Sequence, residues 1–223
     1  MTYPFPYLLL LAAILAACTQ PAKSSSQVEP RPTIVLTTTH GTIVLELYNE
    51  TPKHRDNFLQ LIEDATLDSL LFHRVIDEFL IQTGDPNSKT APPDDTLGNG
   101  DLPYQVEAEF HPDLFHKRGA LNAARDGNPA RASSSTQFCI IQRGPRNDSL
   151  IEIDQGRING WLAEHAMQQD SLHLPLFKAR DQAIYDQDWE EYHRYADSLT
   201  TLAASYTSYE PYTIPEAHRE VYR

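Results

Sequence analysis

Two polar side chains that could take part in chemistry stand within short apolar segments of the chain. Arg74 interrupts the run Leu71–Ile76, and Gln82 ends the run Phe79–Gln82. An arginine stays charged and presents a rigid fork of N–H donors, so it can stabilise a lone pair that becomes localised on a substrate. The alternative interpretation is that Arg74 is a strand residue that only forms an ion pair with one of the many carboxylates.

Other kinds of catalytic centre find little support in the sequence. The nine histidines are scattered, and His111 and His116 lack the spacing of a zinc-binding helix. Cys18 and Cys139 are the only cysteines, so neither a disulfide framework nor a CxxC pair is available. There is no phosphate-binding loop, dinucleotide fingerprint or GxSxG turn. We therefore expect chemistry that uses no metal and no cofactor.

The composition is that of an acidic, folded protein. Eighteen Lys and Arg stand against 31 Asp and Glu, which gives a formal net charge of −13 over 223 residues. A nucleic-acid partner is not expected, because a phosphate backbone must be met by clustered cations. Hydrophobic residues make up 40% of the chain, which is enough for a core in one sizeable domain with an insertion, or in two small domains.

Short strands and one helix are predicted around Arg74. Residues 33–39 and 42–48 are β-branched and flank His40-Gly41, which is typical of a hairpin. Thr51-Pro52 predicts a helix start, and Phe58 begins its apolar face. Further strands are predicted within 71–76, 79–82, 119–125 and 135–142. This order of elements favours a mainly β fold, a barrel that carries a helix.

Three segments resemble the signature blocks of the cyclophilin family. Phe72-His73-Arg74-Val75-Ile76 with Phe79 to Asp85 is similar to the pattern FHRxIxxFxxQxGD, and Gly119–Arg125 and Ser135–Ile140 are similar to the second and third blocks. The resemblance covers residues 33–142. It implies a cyclophilin-like β-barrel and peptidyl-prolyl cis-trans isomerase activity on proline-containing polypeptides. The strands that close the barrel in that family are not found before residue 223, so we expect an incomplete barrel.

The resemblance also implies roles for eight residues. Arg74 would stabilise the twisted amide, Phe79 would seat the proline ring and Gln82 would hold the substrate backbone, which makes these three the expected catalytic residues. Five residues are expected to bind substrate: Leu80, Ala124, Arg125, Gln137 and Cys139. The family usually has an aromatic residue where Cys139 stands, so we expect a wider and weaker proline pocket.

The N-terminal residues predict a targeting segment. Residues 7–17 form an uncharged apolar run too short to span a membrane, and Leu15-Ala16-Ala17-Cys18 resembles the lipobox of bacterial lipoproteins. We expect residues 1–17 to be a signal peptide, Cys18 to be lipidated, and residues 18–32 to be a flexible tether. The protein would then be a membrane-anchored lipoprotein of the cell envelope, on the periplasmic side. The alternative is an ordinary hydrophobic N-terminal helix.

Residues 143–223 have the pattern of a helical insertion. Helical spacing from Leu150 to His165, a break at 171–175, and apolar residues at intervals of four and three from Tyr185 to Tyr206 predict a helical hairpin. The region is either a structural insertion or a docking surface for a partner.

Three functions remain open at this point. The first is a membrane-tethered prolyl isomerase that assists protein folding outside the cytoplasm. The second is a binding module, a low-activity or inactive chaperone that holds proline-containing segments. The third is a purely interaction-based role of the helical region.

Overall fold

The computed structural model describes residues 29–223, and residues 31–223 form one unit. Eight short strands and five α-helices alternate with long loops. The strands are β1 (Thr33–Thr38), β2 (Gly41–Glu46), β3 (Arg74–Ile76), β4 (Leu80–Thr83), β5 (Gln105–Val106), β6 (Leu121–Ala123), β7 (Ser133–Ser134) and β8 (Phe138–Ile141). The helices are α1 (Pro52–Glu63), α2 (Asp148–Gln169), α3 (Leu174–Tyr185), α4 (Trp189–Ser205) and α5 (Glu216–Tyr222). The strands come before the C-terminal helical region, as the sequence predicts.

The first two strands form the predicted hairpin, but the turn lies one residue earlier than expected. Thr38 pairs with Gly41, so Thr39 and His40 make the two-residue turn rather than His40 and Gly41. Gly41 has a φ of +132°, a conformation that favours glycine, and it takes the first paired position of β2. Gly41, the residue whose type indicates a turn, therefore lies immediately after the turn.

The central sheet has four antiparallel strands in the order β3-β4-β8-β6. All four residues of β8 are buried, which agrees with its central position and its apolar sequence. Helix α1 covers one face, where the Phe58 ring meets the Phe138 ring edge-on at 5.1 Å between centroids. The other two sheets have two strands each, so within residues 29–223 the strands form open sheets rather than a closed barrel.

The C-terminal region contains four helices where a hairpin of two was predicted. The apolar series from Tyr185 to Tyr206 is split at 186–188, where Gln187 has a φ of 57° and the Asp188 side chain caps α4 by accepting from Glu191 N at 3.1 Å. Tyr185 consequently ends α3 and is 83% exposed. The buried core of α2, α3 and α4 consists of Ala163, Met167, Phe177, Leu199 and Ala203.

Helix α5 joins the helical region to the segment before β6. The His218 ring stacks on Phe115 at 3.9 Å between centroids, and Tyr222 meets Phe115 edge-on. The Tyr222 carbonyl also accepts a hydrogen bond from Arg146 N at 2.7 Å. None of the helices within residues 29–223 combines the length and apolarity that a bilayer crossing requires. Cys18 and most of the predicted tether lie outside the described residues.

Candidate active site

A single row of side chains crosses the central sheet on the face opposite α1. Strand register pairs Arg74 with Gln82, Gln82 with Cys139, and Cys139 with Asn122. Directly opposed residues of neighbouring antiparallel strands point to the same face, so four strands each contribute one side chain to the row. Phe138 alternates with Cys139 and packs on α1, which leaves the row on the other face.

Hydrogen bonds connect Arg74 and Gln82 of this row to Gln137, which precedes β8. Arg74 Nη1 donates to Gln82 Oε1 at 3.2 Å, and Gln82 Nε2 donates to Gln137 Oε1 at 2.8 Å. Gln137 Nε2 in turn donates to the carbonyls of Gly98 and Gly100 at 2.9 and 2.7 Å. In the side-chain amides of Gln82 and Gln137, the oxygen accepts a hydrogen bond and the nitrogen donates one. The loop at 98–100 therefore sets the orientation of both amides and, through them, the position of the Arg74 guanidinium.

Arg74 is exposed, and its charge is not paired with a carboxylate in the described part of the chain. Its contacts are the Gln82 amide and the Phe79 ring, whose centroid lies 6.0 Å from Arg74 Cζ. Among residues 29–223 no carboxylate forms an ion pair with Arg74, including Asp77 and Glu78 of the adjoining turn. The structure therefore does not support the alternative in which Arg74 only neutralises a carboxylate.

Phe79 is half-buried beside a second arginine that sequence reasoning missed. Arg143 Cζ lies 5.9 Å from the Phe79 centroid, and Gln142 N donates to the Phe79 carbonyl at 2.9 Å. Arg143 is held in place by Asp154 of α2, whose Oδ2 accepts from Arg143 Nη1 at 2.9 Å. A signal existed in the sequence, because positions 137, 139, 141 and 143 alternate along β8 and its extension and so share one face.

Cys139 and Leu80 form the apolar floor of the site. They are 4% and 6% exposed. Burial raises the pKa of the Cys139 thiol, although the charge of Arg74 and a hydrogen bond with Asn122 act in the opposite direction. The thiol is therefore protonated at neutral pH and behaves as a small apolar group rather than as a nucleophile.

Ala124 and Arg125 lie at the end of β6. Ala124 is tied to Gln137 through the backbone, since its N–H donates to the Gln137 carbonyl at 2.9 Å. Arg125 is exposed and makes no hydrogen bond to the other predicted site residues in the described part of the chain. The structure thus brings Arg74, Phe79, Gln82, Gln137 and Cys139 together with Leu80, and leaves Arg125 at the rim.

Buried Asp85 supports the loop that anchors Gln137. This side chain is 1% exposed, and its oxygens accept from the N–H groups of Asn87, Gly98 and Gly100 at 2.9, 2.6 and 3.2 Å. Burial acts to raise the pKa of Asp85, but the three backbone hydrogen bonds and nearby His73 outweigh it and hold that pKa below its usual value. A Cβ on Gly100 would overlap the Asp85 carboxylate, so only glycine fits there.

The site contains no nucleophile and no set of metal ligands. Within residues 29–223 no three His, Cys, Asp or Glu side chains cluster in a way that could hold a metal ion. The fold and the site together present an exposed arginine, two hydrogen-bonded side-chain amides and an aromatic ring beside open antiparallel sheets. A family model described as "Cyclophilin type peptidyl-prolyl cis-trans isomerase/CLD" matches residues 33–158, and the chain belongs to this family.

Similar proteins carry isomerase names. A peptidyl-prolyl cis-trans isomerase-like 3 of Gibberella zeae is 35% identical over 129 residues, which cover 57% of this chain and 75% of the relative. A Streptococcus pyogenes protein whose name joins a phosphatase to a peptidyl-prolyl cis-trans isomerase is 34% identical over 131 residues, covering 58% of this chain and only 26% of that protein. A cyclophilin structure from Cryptosporidium parvum has 27% identity and a TM-score of 0.45, with 54% of this chain and 71% of that chain covered.

Proposed function

We propose that this protein is a peptidyl-prolyl cis-trans isomerase that acts on proline-containing polypeptides and assists protein folding outside the cytoplasm. Membership of the cyclophilin-type family supports the reaction class. The observation that carries the proposal is the exposed Arg74 guanidinium, which is oriented by Gln82 at 3.2 Å beside the Phe79 ring.

The geometry suits the chemistry of amide rotation. The barrier of ~18–20 kcal/mol arises because the amide nitrogen shares its lone pair with the carbonyl, and an X-Pro bond exchanges over tens of seconds or more. A fixed cation with N–H donors stabilises the twisted amide, in which that lone pair is localised on nitrogen. Phe79 and Leu80 would seat the proline ring, while Gln82 would hold the backbone on one side of the rotating bond.

Replacement of Arg74 by alanine tests this function. Measured by NMR exchange spectroscopy on an X-Pro peptide, kcat/KM of Arg74→Ala should fall about 100-fold or more, as expected for removal of a transition-state donor. Arg194→Ala is the matched control, because Arg194 is an exposed arginine of α4 that pairs with its helix neighbour Glu191 and lies 4.5 Å from the centroid of the neighbouring Tyr195 ring. Equal rates for wild type and Arg74→Ala would contradict the proposal.

A binding module without turnover is the second candidate. It is favoured by Cys139, which leaves no aromatic ring at that wall of the pocket, and by the open sheets. In this case peptide binding would be measurable by calorimetry, exchange would not be accelerated, and Arg74→Ala would change affinity alone. A folded wild-type protein that binds X-Pro peptide without accelerating exchange would establish this candidate.

Membrane attachment through Cys18 is the localisation that we propose, and it is supported by the sequence around that residue alone. Two or more acyl chains would give a stable anchor where one would not. In a bacterial host, Cys18→Ser should abolish incorporation of labelled fatty acid and move the protein from the membrane fraction to the soluble fraction. Cys139→Ser should retain the label, and label that persists in Cys18→Ser would refute the anchor.

A further inference from the structure

Two arginines lie close to the Phe79 ring. Arg74 Cζ is 6.0 Å from its centroid and Arg143 Cζ is 5.9 Å from it, and the two arginines come from β3 and from the residues after β8. A substrate residue next to a proline seated on Phe79 would consequently lie near a guanidinium. The reaction chemistry requires only one of these cations.

Arg143 has a defined position. Asp154 accepts from Arg143 Nη1 at 2.9 Å, and both side chains are largely buried, with 21% and 14% exposure. The backbone beside Arg143 is fixed as well, because the Gln142 and Arg143 carbonyls accept hydrogen bonds from Arg118 and the Gln142 N–H donates to Phe79. A cation that is already ordered loses little side-chain entropy when a ligand binds.

The positive charge at this position is only partly neutralised. Asp154 is shared by three arginines: Arg143 at 2.9 Å, Arg146 at 3.0 Å and Arg157 at 4.0 Å. No other carboxylate of residues 29–223 forms an ion pair with these three. One carboxylate for three guanidiniums leaves about two positive charges here, in a chain whose formal charge is −13.

We propose that Arg143 is a substrate-binding residue which selects proline-containing segments that have a carboxylate, Asp or Glu, next to the proline. This inference rests on the proposed function, because it assigns the substrate class of the same site. The net negative charge of the whole chain would repel an acidic peptide. The guanidinium groups beside Phe79 would instead attract its carboxylate at this one place on the surface. Asp154 is the positioning residue that holds Arg143 toward Phe79.

The experiment compares peptides that differ in one side chain. Exchange rates are measured on the full chain with Ala-Glu-Pro-Ala against Ala-Gln-Pro-Ala, and with Ala-Ala-Pro-Glu against Ala-Ala-Pro-Gln, while affinities are measured by calorimetry. In 20 mM salt, wild type should prefer one of the Glu peptides about two- to five-fold, which corresponds to a partly exposed ion pair. The preference should shrink in 0.5 M salt.

Two variants separate Arg143 from charge elsewhere. In Arg143→Gln the ratio of the exchange rate of the Glu peptide to that of the Gln peptide should fall toward one. Arg180→Gln is the matched control, since Arg180 also stacks on a phenylalanine, Phe177 at 5.3 Å, and pairs with a carboxylate, Asp181 at 2.8 Å, but lies on α3. In Arg180→Gln the ratio of the two exchange rates should equal that of wild type. A two-dimensional NMR spectrum checks that each variant is folded.

The outcomes distinguish this inference from the proposed function. A ratio near one in wild type, or a ratio that Arg143→Gln leaves unchanged, overturns the inference, and it does so whether or not exchange is accelerated. If no peptide exchanges faster but binding shows a Glu preference that depends on Arg143, the isomerase proposal fails and the selectivity stands.

Discussion

Asp85 shows how a buried carboxylate can determine the position of a candidate site residue several hydrogen bonds away. Its carboxylate holds the N–H groups of Gly98 and Gly100, and the carbonyls of the same two glycines receive the Gln137 amide. Through Gln137 and Gln82 the hydrogen bonds continue to Arg74. Every step from Asp85 to Arg74 is a direct hydrogen bond or the backbone of one residue. A displacement of the loop at 98–100 would therefore displace the Arg74 guanidinium.

Replacement of Asp85 by asparagine should therefore affect both stability and catalysis. Asn has one acceptor oxygen for three buried N–H donors, so we expect a loss of ~1–3 kcal/mol in the free energy of unfolding. We also expect kcat to fall about 10-fold while KM changes little, because displacement of a transition-state donor lowers the chemical step. Denaturant titration and NMR exchange rates provide the two measurements.

Asp94→Asn is the control for this residue, since Asp94 lies exposed in the same loop. The side-chain amide resonances of Gln82 and Gln137 should move in Asp85→Asn and stay in place in Asp94→Asn. A destabilised Asp85→Asn variant with normal kcat and unmoved amides would mean that the loop and Arg74 are not coupled.

At the scale of elements, local signals predicted the parts of the fold that depend on periodicity. The hairpin, α1 and the two strands that bear Arg74 and Gln82 follow from β-branched runs, from Thr51-Pro52 and from short apolar segments, and all are present. The hairpin turn was placed one residue too late, because Gly41 occupies a strand position with positive φ. The break between α3 and α4 was missed, since the apolar spacing continues across it while Asp188 caps a new helix.

The candidate site was predictable only in part. Signature residues placed Arg74, Phe79 and Gln82 in one region, but their mutual geometry depends on strand register, which no local pattern specifies. Asp85 and the loop at 98–100 are 13 residues or more apart in the chain, and the carboxylate meets the loop only in the folded structure. Arg143 shares a strand face with Gln137 and Cys139, yet its contact with Phe79 requires Asp154 of another element.

At the scale of the whole molecule, buried carboxylates should make stability depend on pH. Asp85 and Glu109 are both ionised acceptors of backbone N–H groups, and Glu109 accepts from Lys53 N and His54 N at the start of α1. Burial acts to raise the pKa of each, but hydrogen bonds to these N–H donors outweigh it and hold both pKa values below their usual values. Each carboxylate thus favours the folded state in its charged form.

The sign of the effect follows from these directions. A carboxyl whose pKa is lower in the folded state contributes stability that is complete above its unfolded pKa of ~4 and is lost as the pH falls through the folded value. We therefore expect the urea midpoint to be nearly constant between pH 5.5 and pH 7 and to fall below about pH 4. In Glu109→Gln this acid-induced fall should be smaller, whereas Glu63→Gln, an exposed residue at the end of α1, should resemble wild type. A urea midpoint that rises as the pH falls would contradict the conclusion that these carboxyls have lowered pKa values in the folded state.

The buried residues of the core of α2, α3 and α4 come from those helices, and Tyr206 and Tyr209 pack against them, while Phe138 contacts Phe58 beside the sheet. Separate clusters of buried side chains within one unit can open as distinct cooperative parts, which hydrogen exchange distinguishes. Asp154 belongs to the helical unit, but Arg74, Gln82 and Gln137 belong to the sheet. Transient opening of the helices would consequently release Arg143 and leave the row beside Phe79 intact, so that the choice of substrate would be less robust than turnover itself.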